Sequence, residues 1–206
     1  GQQHHRVIVL EPTSSAWMHY AIADQHGEMD RLAADFRRLL DRLEAEQVEY
    51  DLGCEHIMNE IGSVENGKMI VGEQQYSYVV LPEGMENINL ATADLLEQYL
   101  EEGGMVVALC RPPKYIDGTA TERCLDWPGQ YGEQWLTLTS CNDPRLFTYL
   151  QNDEFILVDQ QGGNLFHQRR VLEDGQLLFL VNNHRDQETS LRVNMQGRDM
   201  AALDLF

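Results

Sequence analysis

Short apolar runs of strand length limit the fold of this chain more than any other feature. Residues 6–10 (RVIVL), 78–81 (YVVL) and 105–110 (MVVALC) are apolar almost throughout, and a proline-containing segment follows each of them. An apolar run of about four to eight residues without polar alternation is typical of a strand that is buried on both faces. These runs therefore predict interior strands of a parallel sheet.

Amphipathic helices separate the apolar runs. Over residues 28–47 the apolar side chains recur at three- and four-residue spacings, and the same spacing returns over residues 89–102 before a Gly-Gly pair. Such spacing places apolar side chains on one helix face, and glycine commonly ends a helix. Residues 48–52 predict a further strand and residues 54–61 a short helix. Because strand and helix alternate to about residue 158, we predict an open parallel sheet with helices on both faces.

Other segments of this region give weaker signals. Asn66-Gly67 between two apolar stretches predicts a tight hairpin. The aromatic and polar stretch 13–27 is expected to be a loop, and residues 114–142, rich in Gly, Pro, Trp and Cys, to be irregular. A short helix is expected to end at Leu150, followed by a strand over residues 155–158.

The alternation stops after about residue 160, and the remainder predicts β structure. Four β-like runs follow, and the first two flank the turn-forming residues Glu173-Asp174-Gly175: residues 165–172, 177–182, 190–195 and 200–206. We therefore expect an α/β domain over residues 6–160 and a β-rich segment over residues 161–206. This segment is either the start of a β-sandwich or an addition to the main domain. Because the last run stops without a polar ending, we expect a piece of a longer protein.

The charge of the chain disfavours two classes of partner. The 206 residues include 15 Lys and Arg against 34 Asp and Glu, and the formal net charge is −19. Binding to a nucleic-acid backbone depends on basic side chains that neutralise phosphates, and anionic membranes attract the same side chains. No apolar run approaches the roughly 18 residues of a membrane span. We expect a soluble protein that binds neither nucleic acid nor membrane.

Cys110 is the most specific candidate for chemistry. This part of the chain resembles the core of the class I glutamine amidotransferase-like fold. The resemblance lies in the segment 78–84, the helix after it, and the segment 103–110. The resemblance implies a position for a nucleophilic thiol on a tight strand-to-helix turn, and Cys110 stands there. Such a thiol needs backbone N–H donors and a base. The two prolines after Arg111 remove N–H groups and prevent an immediate helix, so a buried, unreactive thiol is the favoured interpretation.

A second candidate site lies in the stretch 13–27. Trp17, His19 and Tyr20 are predicted to form an aromatic and polar lip, either for a sugar ring or for a neighbouring domain. The favoured interpretation is the plainer one, in which Trp17 packs over the edge of the sheet and the histidines of this stretch are solvated.

No motif predicts a metal or a cofactor. Cys54 and His56 are too few for a closed tetrahedral site, and a helix start is the favoured interpretation. The glycine-rich motifs that bind dinucleotides or phosphates are absent from the sequence. The four cysteines form no C-x-x-C pair and are expected to be free thiols. We expect neither a metal nor a cofactor.

Several segments together resemble one region of large bacterial glycoside hydrolases of the α-L-rhamnosidase type. The segments are VIVLEPTSSAW (7–17), VEYDLGCEHIMNEIGSVENGKMIVGEQQYSYVVLPEG (48–84), LLEQYLEEGGMVVAL (95–109) and RRVLEDGQLLFLVNNH (169–184). In that region an amidotransferase-like domain, also similar to a β-galactosidase trimerisation domain, follows the catalytic barrel and leads into β-sandwich modules.

The resemblance implies a flavodoxin-like, non-catalytic accessory domain whose parent enzyme hydrolyses glycosidic bonds. It implies that the other domains of that enzyme are partners, with carbohydrate at the rim and a homo-oligomer as further options. It also implies a bacterial protein, either of the cytoplasm or of the periplasm. The alternative is a separate thiol enzyme of the amidotransferase or protease-like superfamily that uses Cys110.

Overall fold

The computed structural model describes residues 5–20, 27–151, 155–162, 165–197 and 199–202. The chain divides into two compact units, an α/β unit over His5–Leu150 and a β unit within Gln151–Phe206.

The α/β unit contains six α-helices, one short 3-10 helix and eleven strands among its described residues. In chain order its elements are β1 (Val7–Leu10), α1 (Thr13–Met18), α2 (Glu28–Ala45), β2 (Tyr50–Gly53), α3 (Glu55–Ile61), β3 (Gly62–Glu65), β4 (Lys68–Val71), β5 (Gln74–Tyr76), β6 (Tyr78–Leu81), β7 (Asn87–Ile88), α4 (Leu90–Glu101), β8 (Met105–Ala108), β9 (Tyr115–Ile116), β10 (Thr119–Ala120), α5 (Trp127–Tyr131), the 3-10 helix Gly132–Gln134, β11 (Trp135–Thr137) and α6 (Arg145–Leu150).

Five of these strands form one parallel sheet. Their spatial order is β11-β8-β6-β1-β2, and every neighbouring pair is parallel. Numbered along the chain, the order is 2-1-3-4-5, which is the order of doubly wound sheets of the flavodoxin type. The predicted open parallel sheet is therefore confirmed.

Helices cover both faces of the sheet. Alternate residues of the strands point to opposite sides, so that Ile8 joins one core cluster and Val9 the other. The first cluster includes buried side chains of α3, α4 and α5, and the second those of α2 and α6. The purely apolar strands seen in the sequence are thus buried on both sides, as predicted.

The predicted hairpin at Asn66-Gly67 is also confirmed. These two residues join β3 to β4, and their φ angles are 52° and 69°. Positive φ at both central positions is what a two-residue hairpin turn needs, and Asn and Gly tolerate it best.

Two predicted irregular segments contain regular structure. The expected loop 13–27 begins with α1, a helix of six residues that is too short to show an amphipathic repeat; residues 21–26 lie outside the described residues. The segment 114–142 contains β11, which pairs with β8 and completes the parallel sheet. A strand of three residues (WLT) carries too little pattern to be recognised in the sequence.

The β unit consists of antiparallel pairs. β12 (Phe155–Gln161) pairs with β15 (Ser190–Met195), and β13 (Leu165–Leu172) pairs with β14 (Gly175–Asn182). The sequence placed residues 155–158 in the α/β domain and its boundary at residue 160. Because β12 takes its partner from the later part of the chain, the compact units divide after Leu150 instead. In the last predicted run, residues 200–202 form no strand and residues 203–206 are outside the described residues.

Candidate functional site

The loops at the carboxyl edge of the sheet are joined by hydrogen bonds. In doubly wound sheets of this order, ligands bind where the strand order reverses, between the first and third strands, here β1 and β6. Ser15, after β1, donates from Oγ to the carbonyl oxygen of Asn87 at 3.0 Å and accepts from its N–H at 2.9 Å. Since Ser15 is fully buried, these bonds hold α1 against β7.

A buried carboxylate completes this connection. Glu55, at the start of α3, is 5 % exposed. Its Oε1 accepts from the Ser14 hydroxyl at 2.5 Å and its Oε2 from the Asn89 N–H at 2.6 Å. Buried polar groups are stable only when they are paired in this way. The carboxylate of Glu55 therefore links the loops that follow β1, β2 and β7.

Cys110 lies two residues beyond β8 and packs against the core. Burial raises the pKa of its thiol to about 12, and the charge of Glu83 acts in the same direction, against a hydrogen bond from the Met85 backbone. The thiol is therefore neutral at physiological pH, whereas a nucleophile must be a thiolate. No helix begins directly after Cys110, because the next one, α5, starts at Trp127. These features favour the interpretation of Cys110 as an unreactive thiol.

Trp17, His19 and Tyr20 lie at the end of α1, on the same edge of the sheet. Trp17 is 74 % and Tyr20 is 72 % exposed. The backbone turns back on itself here, since the N–H of Tyr20 donates to the carbonyl oxygen of Trp17 at 3.2 Å. Trp17 and Tyr20 thus flank His19 in the chain with their rings exposed, and the lip stays a prediction.

His19 is paired with a carboxylate that the sequence did not single out. Its Nε2 lies 2.7 Å from Oε1 of Glu86, and the other oxygen of Glu86 lies 2.7 Å from Nζ of Lys114. We call the ion-paired residues His19, Glu86 and Lys114 the rim cluster. Glu86 follows β6, at one of the strand ends where a site was expected, but no motif marks it or Lys114.

The rim cluster holds its charges in a fixed arrangement. Burial alone would raise the pKa of Glu86, but hydrogen bonds from Lys114 and His19 outweigh it and place the pKa below its usual value. The hydrogen bond to Glu86 likewise raises the pKa of Lys114. Carboxylate and ammonium are therefore both charged at neutral pH and offset each other.

A cleft adjoins Lys114. It has a volume of about 430 Å³, is largely open to solvent, and is lined by Lys114, Tyr115, Ala120, Thr121 and Glu122. The ammonium group of Lys114 lies 5.2 Å from the ring centroid of Tyr115, within the range of a cation–π contact. Lys114 is thus shared by the cleft and the rim cluster.

The other candidate ligands do not form a site. Cys54 precedes the first turn of α3, as predicted for a helix start, and His56 lies 3.4 Å from Glu60 on the surface of the same helix. Across the residues described by the structure, no three His, Cys, Asp or Glu side chains are placed to hold a metal ion. Within the same residues no helix is both long and apolar enough to cross a membrane.

Comparison with known proteins gives similarity of structure only. No protein-family model and no curated protein matches the sequence. A rhamnosidase from Novosphingobium sp. PP1Y matches 69 % of the chain at 17 % identity with a TM-score of 0.52. The apo exo-carrageenase GH42 from Bacteroides ovatus matches 92 % of it at 11 % identity with a TM-score of 0.56. The chain spans 15 % and 24 % of those two proteins, respectively. At these identities the similarity establishes the fold, which thus occurs as one part of two glycoside hydrolases.

Proposed function

We propose that this chain is a non-catalytic accessory domain of a carbohydrate-degrading glycoside hydrolase. The observation that carries the proposal is the structural similarity to a minor part of two such enzymes. The parent activity would be hydrolysis of glycosidic bonds of the α-L-rhamnosidase type, performed by a catalytic barrel. The accessory domain would support that barrel or mediate assembly, with the other domains of the enzyme or a second copy of this chain as partners.

The state of the carboxylates supports a non-catalytic role. Most glycoside hydrolases need an acid with a raised pKa and a second carboxylate across the scissile bond. At the carboxyl edge, Glu55 and Glu86 are both occupied by hydrogen bonds, and the pKa of Glu86 is lowered. Burial raises the pKa of Glu44, but Glu44 accepts from the hydroxyl of Tyr50, at the beginning of β2 and so at the opposite edge of the sheet.

Hydrolysis assays test this proposal. The purified chain is incubated with an aryl α-L-rhamnoside and with carrageenan oligosaccharides, and product is measured against a buffer blank. We expect no turnover by the chain, while the full-length product of the same reading frame hydrolyses a glycoside. Removing this domain from the full-length protein should lower its melting temperature or change its oligomeric state. The proposal would be contradicted by hydrolysis that elutes together with the isolated chain during purification. Loss of that activity in a Glu86→Gln variant would show that the chain itself is the catalyst.

A further inference from the structure

We propose that one face of the β13–β14 hairpin is a docking surface for a β-sheet of another domain of the parent enzyme. Five apolar side chains mark this face, which we call the hairpin face: Phe166, Leu172, Leu177, Phe179 and Val181. The inference rests on the proposed function, because it requires a parent enzyme that is longer than this chain.

The sequence of β14 places apolar side chains on both faces of the hairpin. Residues 177–181 (LLFLV) are apolar without interruption, and successive side chains of a strand point to opposite faces. Directly paired residues share a face, so Phe179 lies beside Gln168 and Val181 beside Phe166. An antiparallel strand with one face in water normally alternates apolar and polar residues, whereas an uninterrupted apolar run is typical of a strand that is covered on both faces.

The β unit itself covers the opposite face of the hairpin. Arg169 points to that side and is only 4 % exposed, and its Nη1 donates to Oε1 of Gln176 at 3.2 Å. Nε2 of Gln176 donates in turn to the carbonyl oxygen of Gln196, directly after β15, at 2.7 Å. One side of the hairpin is therefore closed by a later segment of the same unit.

The hairpin face, in contrast, is open to solvent. Leu172, Leu177, Phe179 and Val181 are 40 %, 47 %, 48 % and 44 % exposed. A group of neighbouring exposed apolar side chains is a mark of an interaction site. β13 and β14 also form a sheet of only two strands, which is marginally stable in water. Cover on the hairpin face would therefore stabilise the hairpin as well.

The size of the hairpin face distinguishes a linked domain from a separate partner. Its two strands of eight residues cover roughly 27 Å by 10 Å, whereas each partner in a stable complex of separate proteins buries about 800 Å². Two copies of the chain would also repel each other, because each carries a net charge of −19. A domain of the same polypeptide needs much less contact area, since the linkage keeps its local concentration high.

The chemistry of the hairpin face specifies the surface that covers it. A pleated face of apolar side chains packs well against a second sheet, at a distance of about 10 Å. Arg170 is paired with Leu177 and exposed on the same face, and a charge at an interface is costly unless it is matched. We expect a sheet with apolar side chains at alternate positions and an acidic side chain opposite Arg170.

Hydroxyl-radical footprinting tests the inference without any substitution. The chain and the full-length product of the same reading frame receive the same radical dose, and oxidation of Leu177 and Phe179 is measured by peptide mass mapping. We expect oxidation of Phe179 to be at least about fivefold slower in the full-length protein, because the core of an interface excludes water. In the chain alone it should be fast at every protein concentration. Both proteins in urea, where Phe179 is exposed, give the reference rate.

Two neighbouring substitutions on β14 supply a matched comparison. Phe179→Thr removes a ring from the hairpin face and keeps a residue that favours strands. It should lower the melting temperature of the full-length protein by about 2–4 °C and that of the chain much less. Leu178→Thr makes a similar change on the opposite face, where the side chain is already half-buried in the chain. It should lower the melting temperature of both proteins alike.

Three outcomes would overturn the inference. Equal oxidation of Phe179 in the chain and in the full-length protein would show that no further domain covers the hairpin face. Slow oxidation in the chain that becomes faster on dilution would identify a second copy as the occupant. Slow oxidation in the chain at every concentration would show that the chain covers this face itself. The accessory role is decided separately by the hydrolysis assay, so that either proposal can fail while the other holds.

Discussion

The thiol of Cys110 shows how the surroundings of one residue set its chemistry. A cysteine at the carboxyl end of a buried strand is well placed to be a nucleophile, and the sequence alone left that role open. In the structure the thiol lies against the core, and its pKa is raised to about 12. The thiol is therefore protonated at pH 8 and a poor nucleophile.

Alkylation of the native protein tests this description of Cys110. With iodoacetamide at pH 8, we expect Cys54 to react before Cys110. Both side chains are partly exposed, but Cys110 packs against the first core cluster and the pKa of its thiol is raised. Cys124 should behave like Cys110, because burial also raises its pKa to about 12. Peptide mass mapping against time gives the four rates, and the same reaction in urea, where all four thiols are exposed, is the control. Preferential labelling of Cys110 in the native state would contradict this description and support the alternative hypothesis of a thiol enzyme that uses Cys110.

At the scale of secondary-structure elements, one ion-pair network connects α4 to the segment before α5. The guanidinium group of Arg123 bonds to Asp94 and Glu97 of α4, and the indole N–H of Trp127 donates to Glu97 at 3.1 Å. The hydrogen bond from Arg123 lowers the pKa of Glu97 and outweighs the opposing effect of burial. A carboxylate with a lowered pKa in the folded state stabilises that state only while it is ionised.

The stability of an Arg123→Gln variant should therefore depend on pH in a defined direction. At pH 7 we expect it to unfold more easily than the wild type by about 1 kcal/mol, since the network is partly exposed. Above the usual Glu pKa of 4.5 the difference is full, and it shrinks as the pH falls through the lower folded value. Urea unfolding followed by tryptophan fluorescence, at pH values from about 3 to about 7, measures the difference.

The matched control for this variant is Arg37→Gln on α2. Arg37 and Asp41 form an ion pair in which both side chains are mostly exposed, at 78 % and 65 %, and such pairs contribute about 0–1 kcal/mol. A difference for Arg123→Gln that is equal at pH 3 and pH 7, or no larger than that of the control, would contradict the assignment.

At the scale of the whole molecule, the α/β unit contains both core clusters. Every buried residue of the two clusters lies between Val7 and Leu150. A segment with its own continuous core and a complete sheet has what it needs to fold alone. The β unit is built instead from two two-stranded pairs, β12 with β15 and β13 with β14.

We therefore expect a fragment that ends at Leu150 to fold without the β unit. It should unfold cooperatively and retain the emission of buried tryptophan, since Trp127 and Trp135 lie in its core. A fragment that ends at Leu138 lacks α6 and with it Leu146, Phe147 and Leu150 of the second cluster, and it should not unfold cooperatively. Differential scanning calorimetry of both fragments shows whether each one has a cooperative unfolding transition. If the longer fragment is unfolded, the α/β unit depends on the β unit.

Local pattern was sufficient for the larger part of the fold. The sequence predicts β1, β6 and β8 from their apolar runs, and α2 and α4 from their helical spacing. These patterns involve only residues that are close together in the chain. The hairpin at Asn66-Gly67 is legible for the same reason, because the turn needs residues that tolerate positive φ. The short elements α1 and β11 carry too few residues to show a period, and only their partners in space identify them.

The sequence by itself determined the fold class, the location of the candidate sites at the strand ends, and the acidic charge that disfavours nucleic acid as a partner. Only the tertiary structure decided that β12 pairs with β15, that the pKa of Cys110 is raised, and that His19, Glu86 and Lys114 lie together. The physical reason is the same in each case. Pairing, burial and charge neutralisation bring together residues that are far apart in the chain, from 28 residues for Glu86 and Lys114 to 67 for His19 and Glu86, and no local pattern encodes such contacts.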